Sequence, residues 1–393
     1  MKVLHVSAGA YPSESNPVAC IFVQKLVEMQ RSAGLESSVL SSVVEWNGFF
    51  RKKILPDKNK YVFRFIQQRG IGRLPVRFQE RYFSRIAAFY KKTCDFKPDI
   101  IHCHFSTNAL LGKALSQELG CPYMVTLHEN HWWFEELIFG DRRKFIKAVA
   151  HSDMITRPNS IDIIDLHKLD IPSEKIAYLP NYVDENSFKL PSSEERVKAR
   201  EQMGVESRKV VLNIASLHKK KGQELLIESI AILKERIPEI VLWIIGEGTE
   251  EKALRLLSEK LDIEKNVRFL GRIENNNIQF YLACADVFAM PSKAESFGIS
   301  QVEGMLAGLP VVATNNFGSE EIVIDGRNGF ICRTRESRDY AKLLYEAITR
   351  EWDHSDIRQS AVERFGSKFL SERLRSLYNL VKARFGDNHE QNV

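Results

Sequence analysis

The stretch Ala285-Asp-Val-Phe-Ala-Met290-Pro291-Ser292-Lys293-Ala294-Glu295-Ser296-Phe297-Gly298-Ile299-Ser-Gln-Val-Glu303 sets the fold class of this 393-residue chain. Ala285 to Met290 reads as a buried strand closed by Pro291-Ser292. Ile299 to Ala307 reads as a helix stopped by Gly308 and Pro310. A buried strand, a small-residue loop and a helix form the repeating unit of a parallel sheet. Glu295 stands on the loop and Glu303 on the helix body, roughly 12 Å apart along the backbone if most of the gap is helical. The helix start offers free N–H groups and a positive dipole to an anion. That span suits a sugar nucleotide, with its diphosphate between the two carboxylates.

The same unit recurs in both directions. In the first half, strands are expected at Val3–Val6, Ser37–Leu40, Asp99–His104, Pro122–Leu127, Met154–Thr156 and Lys175–Leu179, with helices at Ile21–Arg31 and Asn108–Leu119. In the second half, strands are expected at Val210–Ala215, Ile240–Ile245, Val267–Leu270, Asp286–Met290 and Leu309–Thr314, with a helix from Gly222 to Ile237. Alternation of this kind predicts an α/β architecture of doubly wound parallel sheets. A Pro- and Ser-rich zone from Pro180 to Ser193 divides the halves. The expected division is 1–184, 185–365 and a terminal helical segment 366–393.

Composition excludes several classes. No run approaches eighteen apolar residues, so no membrane-spanning helix is expected, and the N-terminus lacks a signal-peptide pattern. Six scattered cysteines form no C-x-x-C, which argues against structural zinc and for a reducing cytosol. The net charge of +5 is uneven. Residues 49–92 carry thirteen basic and two acidic side chains, a net +11, which leaves −6 elsewhere. Aromatic residues interleave this segment, and Arg77, Arg81 and Arg85 recur at helical spacing. It reads as a surface for an anionic membrane. An anionic acceptor headgroup and a plain solvated face are the other readings. No nucleic-acid motif accompanies the charge.

Pro291-Ser-x-x-Glu295-Ser-Phe-Gly298, followed by Glu303 and Ala307-Gly-Leu-Pro-Val-Val312, resembles glycosyltransferase family 4. The resemblance covers nearly the whole chain. It implies the GT-B fold: two Rossmann-like domains facing across a cleft, with the last helix crossing back to the N-terminal domain. It implies that Glu295 contacts the donor sugar and Glu303 the nucleotide ribose, with Ser296, Phe297, Gly298 and Ile299 along the donor. Lys221-Gly222 matches the family lysine that holds the diphosphate. Ser216 stands where the family has Arg, so one charge of that clamp is missing. Gly246 and Gly248 match a family Gly-x-Gly on the nucleotide side. This pair begins a dinucleotide fingerprint, but Glu251 replaces its next glycine, which disfavours a redox enzyme. Gly318 and Ser319 match a stretch that offers N–H groups to the donor, with Phe317 in place of a family Gly. His128 matches the histidine that reaches the donor sugar. On the acceptor or membrane side, Cys20 replaces a family Gly before the first helix, and His131 and Trp132 follow His128.

What the resemblance implies is a retaining, metal-independent hexosyltransferase using Glu295, His128 and Lys221. Its donor would be UDP- or GDP-linked, with no further cofactor. The acceptor would be a glycan or lipid-linked hydroxyl in surface polysaccharide or glycolipid synthesis. The protein would be cytoplasmic, with access to the inner face of the membrane. The alternatives are a catalytically silent sugar-nucleotide-binding or scaffold protein and a GT-B enzyme for a soluble sugar. No Asp-x-Asp is present. His102 and His104 are assigned to opposite faces of one sheet, so no metal site shared with His128 and His131 is expected.

Overall fold

The computed structural model describes residues 1–8, 11–12, 20–45, 54–56, 61–68, 71–129, 135–136 and 141–390. It contains two compact units, Met1–Tyr182 with Lys368–Val393, and Val183–Ser367.

The first unit is built on β1 (Lys2–Val6), β2 (Glu36–Glu45), β3 (Ile54–Pro56), β4 (Val62–Gln68), β5 (Ile100–His104), β6 (Tyr123–Thr126), β7 (Met154–Arg157) and β8 (Ile176–Tyr178). Their order is β3-β4-β2-β1-β5-β6-β7-β8, parallel except for β3, which runs antiparallel to β4 at the edge. β5, β6 and β7 are buried along their whole length. Strands covered on both faces lose the polar alternation of a half-exposed strand, although β5 and β7 still carry His102, His104 and Arg157 into the interior.

The basic segment needs a correction. It contains β4 and the helix Val76–Thr93, and Phe65, Phe83 and Tyr90 lie in the core rather than on a surface. Tyr82 donates to the Ile66 carbonyl at 2.9 Å. Arg77, Phe78, Arg81 and Arg85 remain exposed on this helix, together with Glu80, Lys91 and Lys92.

The terminal helix Ser367–Glu390 packs within the first unit. Leu370, Leu374, Leu377, Tyr378 and Val381 are buried with Val3, Met29, Ile100, Met124 and Met154. Their spacing of three and four residues gives one apolar stripe. The sequence shows one helical run from Asp356 to Phe385. The structure breaks it at Gly366, between the helices His354–Phe365 and Ser367–Glu390.

The second unit is built on β9 (Lys209–Ile214), β10 (Ile240–Ile245), β11 (Val267–Gly271), β12 (Val287–Met290), β13 (Val311–Thr314) and β14 (Gly329–Cys332). The order β11-β10-β9-β12-β13-β14 is fully parallel. It is the doubly wound order, whose direction reverses between β9 and β12, where such sheets take ligands. Leu212, Trp243, Phe288 and Met290 fill the core on one face. Val211, Leu242, Ile244 and Val287 fill it on the other. β14 is only four residues long and was not foreseen.

Six described residues other than glycine have positive φ, and two of them, Cys20 and Phe317, stand where the resemblance expects a glycine. Cys20, before the helix Ile21–Ser32, has φ 43° and ψ 46°. Phe317 has φ 73° and ψ −54°. A side chain in the left-handed region costs about 1–2 kcal/mol. Cys20→Gly should therefore raise the stability of the first unit by roughly 0.5–1 kcal/mol after the entropy of glycine is deducted. Denaturant melts of the two proteins measure this, and a fall in stability would show that thiol packing outweighs the strain.

Candidate active site

The carboxyl ends of β9, β12 and β13 are joined by backbone contacts between their loops. The β9 loop ends in a single turn, Lys219–Lys221, and Gly222 at φ 68°. A Cβ on Gly222 would lie 2.2 Å from the Pro291 carbonyl oxygen, so only glycine lets this loop close on the end of β12. The Lys293 N–H then donates to Lys220 O at 2.7 Å. The Glu295 N–H donates to Asn316 O at 2.8 Å, tying the β12 loop to the β13 loop. A Cβ on Gly318 would lie 2.4 Å from Phe297 O.

These ties bring Lys221 and Glu295 together at the point where the strand order reverses. Lys221 Nζ lies 2.5 Å from Glu295 Oε1, with both side chains mostly buried. Gly298, at φ 101°, opens the helix Ile299–Leu306. Glu303 sits on that helix, only half-buried at its surface. The protein around it nevertheless raises its carboxyl to about 7 by burial.

Several buried polar atoms at this edge lack partners: both amide atoms of Gln301, Asn315 Oδ1, Asn316 Nδ2 and Ser319 Oγ. Buried polar groups are nearly always paired, so this cluster marks a place suited to a polar ligand. The N–H of Ser319 is not among the free groups, because it donates to Asn316 Oδ1 at 2.8 Å. The Ser319 N–H expected to face a donor is therefore already engaged, and its hydroxyl is the atom left without a partner. Gly246 and Gly248 serve the loop above them. Added Cβ atoms would lie 2.0 Å from Ala215 O and 2.2 Å from Leu217 O, and the Gly246 N–H donates to Gly271 O. Ser216 is exposed, and its carbonyl accepts from Gln223 Nε2 at 3.2 Å. Phe297 is core, packed edge-on against Phe365.

Arg335 escaped the sequence reading. It donates to Lys293 O at 2.8 Å and Asn315 O at 2.7 Å, bracing the β12 and β13 loops together. It follows the unforeseen β14, and nothing local in the sequence marks it. Gln301, Asn315 and Asn316 were also missed, since only the fold makes them neighbours.

In the first unit, His128 lies just beyond β6. Arg157 fixes the end of this strand by donating to Leu127 O at 2.6 Å and Glu129 O at 2.7 Å, and it pairs with buried Asp162. His128 Nε2 lies 3.0 Å from His104 Nδ1. Burial first, and then the charge of Arg157, lower His128 to about 3. The assignment of His102 and His104 to opposite faces is wrong. Side chains alternate with period two along a strand, so positions i and i+2 share a face. The two rings stack at 4.4 Å, and His5 on β1 joins them. The Cys20 thiol is raised to about 11 by burial, which keeps it protonated. His131 and Trp132 lie outside the described residues.

The model for glycosyl transferases group 1 matches residues 195–364, and that for Glycosyltransferase Family 4 matches 21–187. The Bacillus subtilis protein EpsD is 30% identical over 268 residues, covering 65% of this chain and 68% of its own. The GDP-mannose-dependent α-(1-6)-phosphatidylinositol monomannoside mannosyltransferase of Mycolicibacterium smegmatis is 34% identical over 167 residues, 41% of this chain and 44% of its own. Among solved structures, Anabaena HepE in complex with UDP-glucose superposes with a TM-score of 0.73 at 21% identity, over 96% of this chain and 99% of that one. That likeness concerns the fold. Two family matches, one on each doubly wound sheet, and a relative aligned over two thirds of its length agree with the site motifs: the chain belongs to glycosyltransferase family 4.

Proposed function

We propose that this glycosyltransferase moves a hexose from a UDP- or GDP-linked donor to a hydroxyl of a glycan or lipid-linked acceptor, with retention and without a metal. The observation that carries the reading is the Lys221–Glu295 pair at the reversal between β9 and β12. Without ligand, each charge neutralises the other. An arriving diphosphate competes for Lys221 and frees Glu295 to accept hydrogen bonds from sugar hydroxyls. The Gly298 helix start adds a positive dipole. The unpaired Gln301, Asn315, Asn316 and Ser319 groups supply further donors and acceptors. In the transfer, the bond from the sugar carbon to the diphosphate breaks. The departing diphosphate takes the proton of the acceptor hydroxyl, and the acceptor oxygen bonds the carbon on the same face. Fixed charges at the departing oxygen stabilise this step without reorganising. His128 is the first unit's candidate for a substrate hydroxyl.

The donor is found by thermal shift across UDP- and GDP-hexoses, where a ligand at a hundred times its Kd stabilises by about 2.7 kcal/mol. Glu295→Ala should lower transfer on the order of 10²-fold or more with the fold intact. Normal turnover by that variant would refute the assignment.

Glu303 gives a pH signature. Its carboxyl is near 4.5 in an unfolded chain and about 7 in the folded one. The folded state holds the proton that the unfolded state releases, so stability falls as pH rises from 4.5 to 7. The full difference is about 3.4 kcal/mol, which water reaching this half-buried side chain lowers to roughly 2–3 kcal/mol, and Glu303→Gln should remove it. Urea midpoints of both proteins at pH 5 and pH 8 measure the difference, and parallel pH profiles would contradict it.

Arg77, Arg81 and Arg85, exposed along one helix with Phe78, form the face proposed to meet an anionic bilayer. Each basic residue near such a surface contributes about 1 kcal/mol. Changing all three to Glu should lower binding to anionic vesicles by roughly 100-fold or more in flotation, leaving transfer to a soluble acceptor analogue intact. Unchanged flotation would remove the membrane from the proposal.

A further inference from the structure

His5, His102 and His104 gather ring nitrogens within 4.8 Å of one another, the spacing of a three-ligand metal site. Their bonds point elsewhere. His5 Nδ1 faces His104 Nε2 at 3.0 Å, and His5 Nε2 faces Gln30 Oε1 at 3.2 Å. His102 bonds Tyr378 Oη at 2.8 Å and Thr126 Oγ1 at 2.6 Å. His104 Nδ1 faces His128 Nε2 at 3.0 Å. All six nitrogens are engaged, so a metal would have to break bonds already made.

The row Gln30–His5–His104–His128 is therefore a line of hydrogen bonds with a direction. Burial lowers all three histidines of the row, His5 to about 4 and His128 to about 3, so each ring is neutral at pH 7 and carries one N–H. The Gln30 amide N–H₂ donates to Tyr378 Oη at 3.1 Å, which leaves its carbonyl to accept from His5 Nε2–H. His5 Nδ1 must then accept from His104 Nε2–H, and His104 Nδ1 from His128 Nε2–H. One ring nitrogen remains at the end of the row. His128 Nδ1 is buried and has no partner in hydrogen-bond geometry, and the buried Asn181 side chain lies close enough to hydrogen-bond the protonated ring. An amide of Gln30 turned the other way would reverse every proton and leave an orphaned N–H there. Buried orphan donors are rarer than under-satisfied acceptors.

We propose that His5, His104 and Gln30 are positioning residues that lock His128 as its Nε2–H tautomer, so that its bare Nδ1 accepts a hydrogen bond from a substrate hydroxyl. The lock itself is independent of the donor. The substrate contact rests on the function proposed above. β1 and β5 are neighbours where the first sheet reverses its order, which is what brings His5 and His104 side by side.

Long-range proton–nitrogen correlation spectra of the histidine-labelled full chain, with His128 assigned through His128→Gln, read the tautomer without any sugar. The wild-type protein should show His128 with its proton on Nε2. His104→Phe keeps the ring shape and breaks the row, so His128 should become a mixture of tautomers. His104→Gln, which can accept from His128 and donate to His5, should restore one form. Transfer by His104→Phe should fall about tenfold in kcat with little change in KM, and His104→Gln should recover most of it. A proton on Nδ1 of wild-type His128 would overturn the proposal. So would a folded His104→Phe protein whose His128 stays pure Nε2–H. If His104→Phe does not fold, Gln30→Leu makes the same test from the far end. Absence of transfer by the wild-type protein with every nucleotide sugar would overturn the glycosyltransferase chemistry instead, and would leave the tautomer reading standing.

Discussion

The contact between Lys221 and Glu295 depends on β9 and β12 being neighbours. They lie far apart in sequence, and only the reversal of strand order sets their loops side by side. Everything else at this edge serves that approach. Gly222 lets one loop touch Pro291, Gly318 lets another touch Phe297, and Arg335 ties the β12 and β13 loops through their carbonyls. Ion pairs on a surface contribute little. This one is mostly shielded from water, so removing either partner leaves an exposed need for the other. In the function proposed above, a diphosphate replaces the carboxylate at Lys221, and that exchange would turn a resting contact into a binding event.

The first unit uses the same topological device with neutral groups. β1 and β5 meet at its reversal, and the side chains brought together there are imidazoles instead of an ion pair. Neutral rings in a dry core cannot answer a ligand by charge. What they can hold is the direction of a proton. The two units thus present different chemistry from equivalent positions: a charged clamp in one and an oriented acceptor in the other.

The fold was legible because its central strands are continuous apolar runs and its helices end at glycines such as Gly120, in the left-handed conformation at φ 67°. The strand–loop–helix around Glu295 was visible for the same reason. β4 was hidden, because Arg64 and the basic residues around it mask a strand whose Phe65 is core. β14 was hidden because it opens on Asn328-Gly329, a pair that reads as a turn. Lys221 and His128 could be matched residue by residue to a motif. Arg335, Gln301, Asn316 and the His5–His104 contact could not, since each owes its place to a distant segment. The histidine error was of another kind: the two-residue period of a strand was misapplied, and the sequence itself held the correct answer.

The first unit is discontinuous. Its sheet is made from the start of the chain, yet the stripe Leu370–Val381 that covers Val3, Met124 and Met154 comes from the end. On a ribosome adding roughly 5–20 residues per second, tens of seconds pass between the two while Val183–Ser367 is made. During that interval one greasy side of the nascent sheet stands uncovered, and Tyr378 has not yet sealed His102. The second unit, by contrast, is contiguous and can close on itself first. Closure of the first core therefore waits for the helix Ser367–Glu390, whereas every element of the second lies within Val183–Ser367.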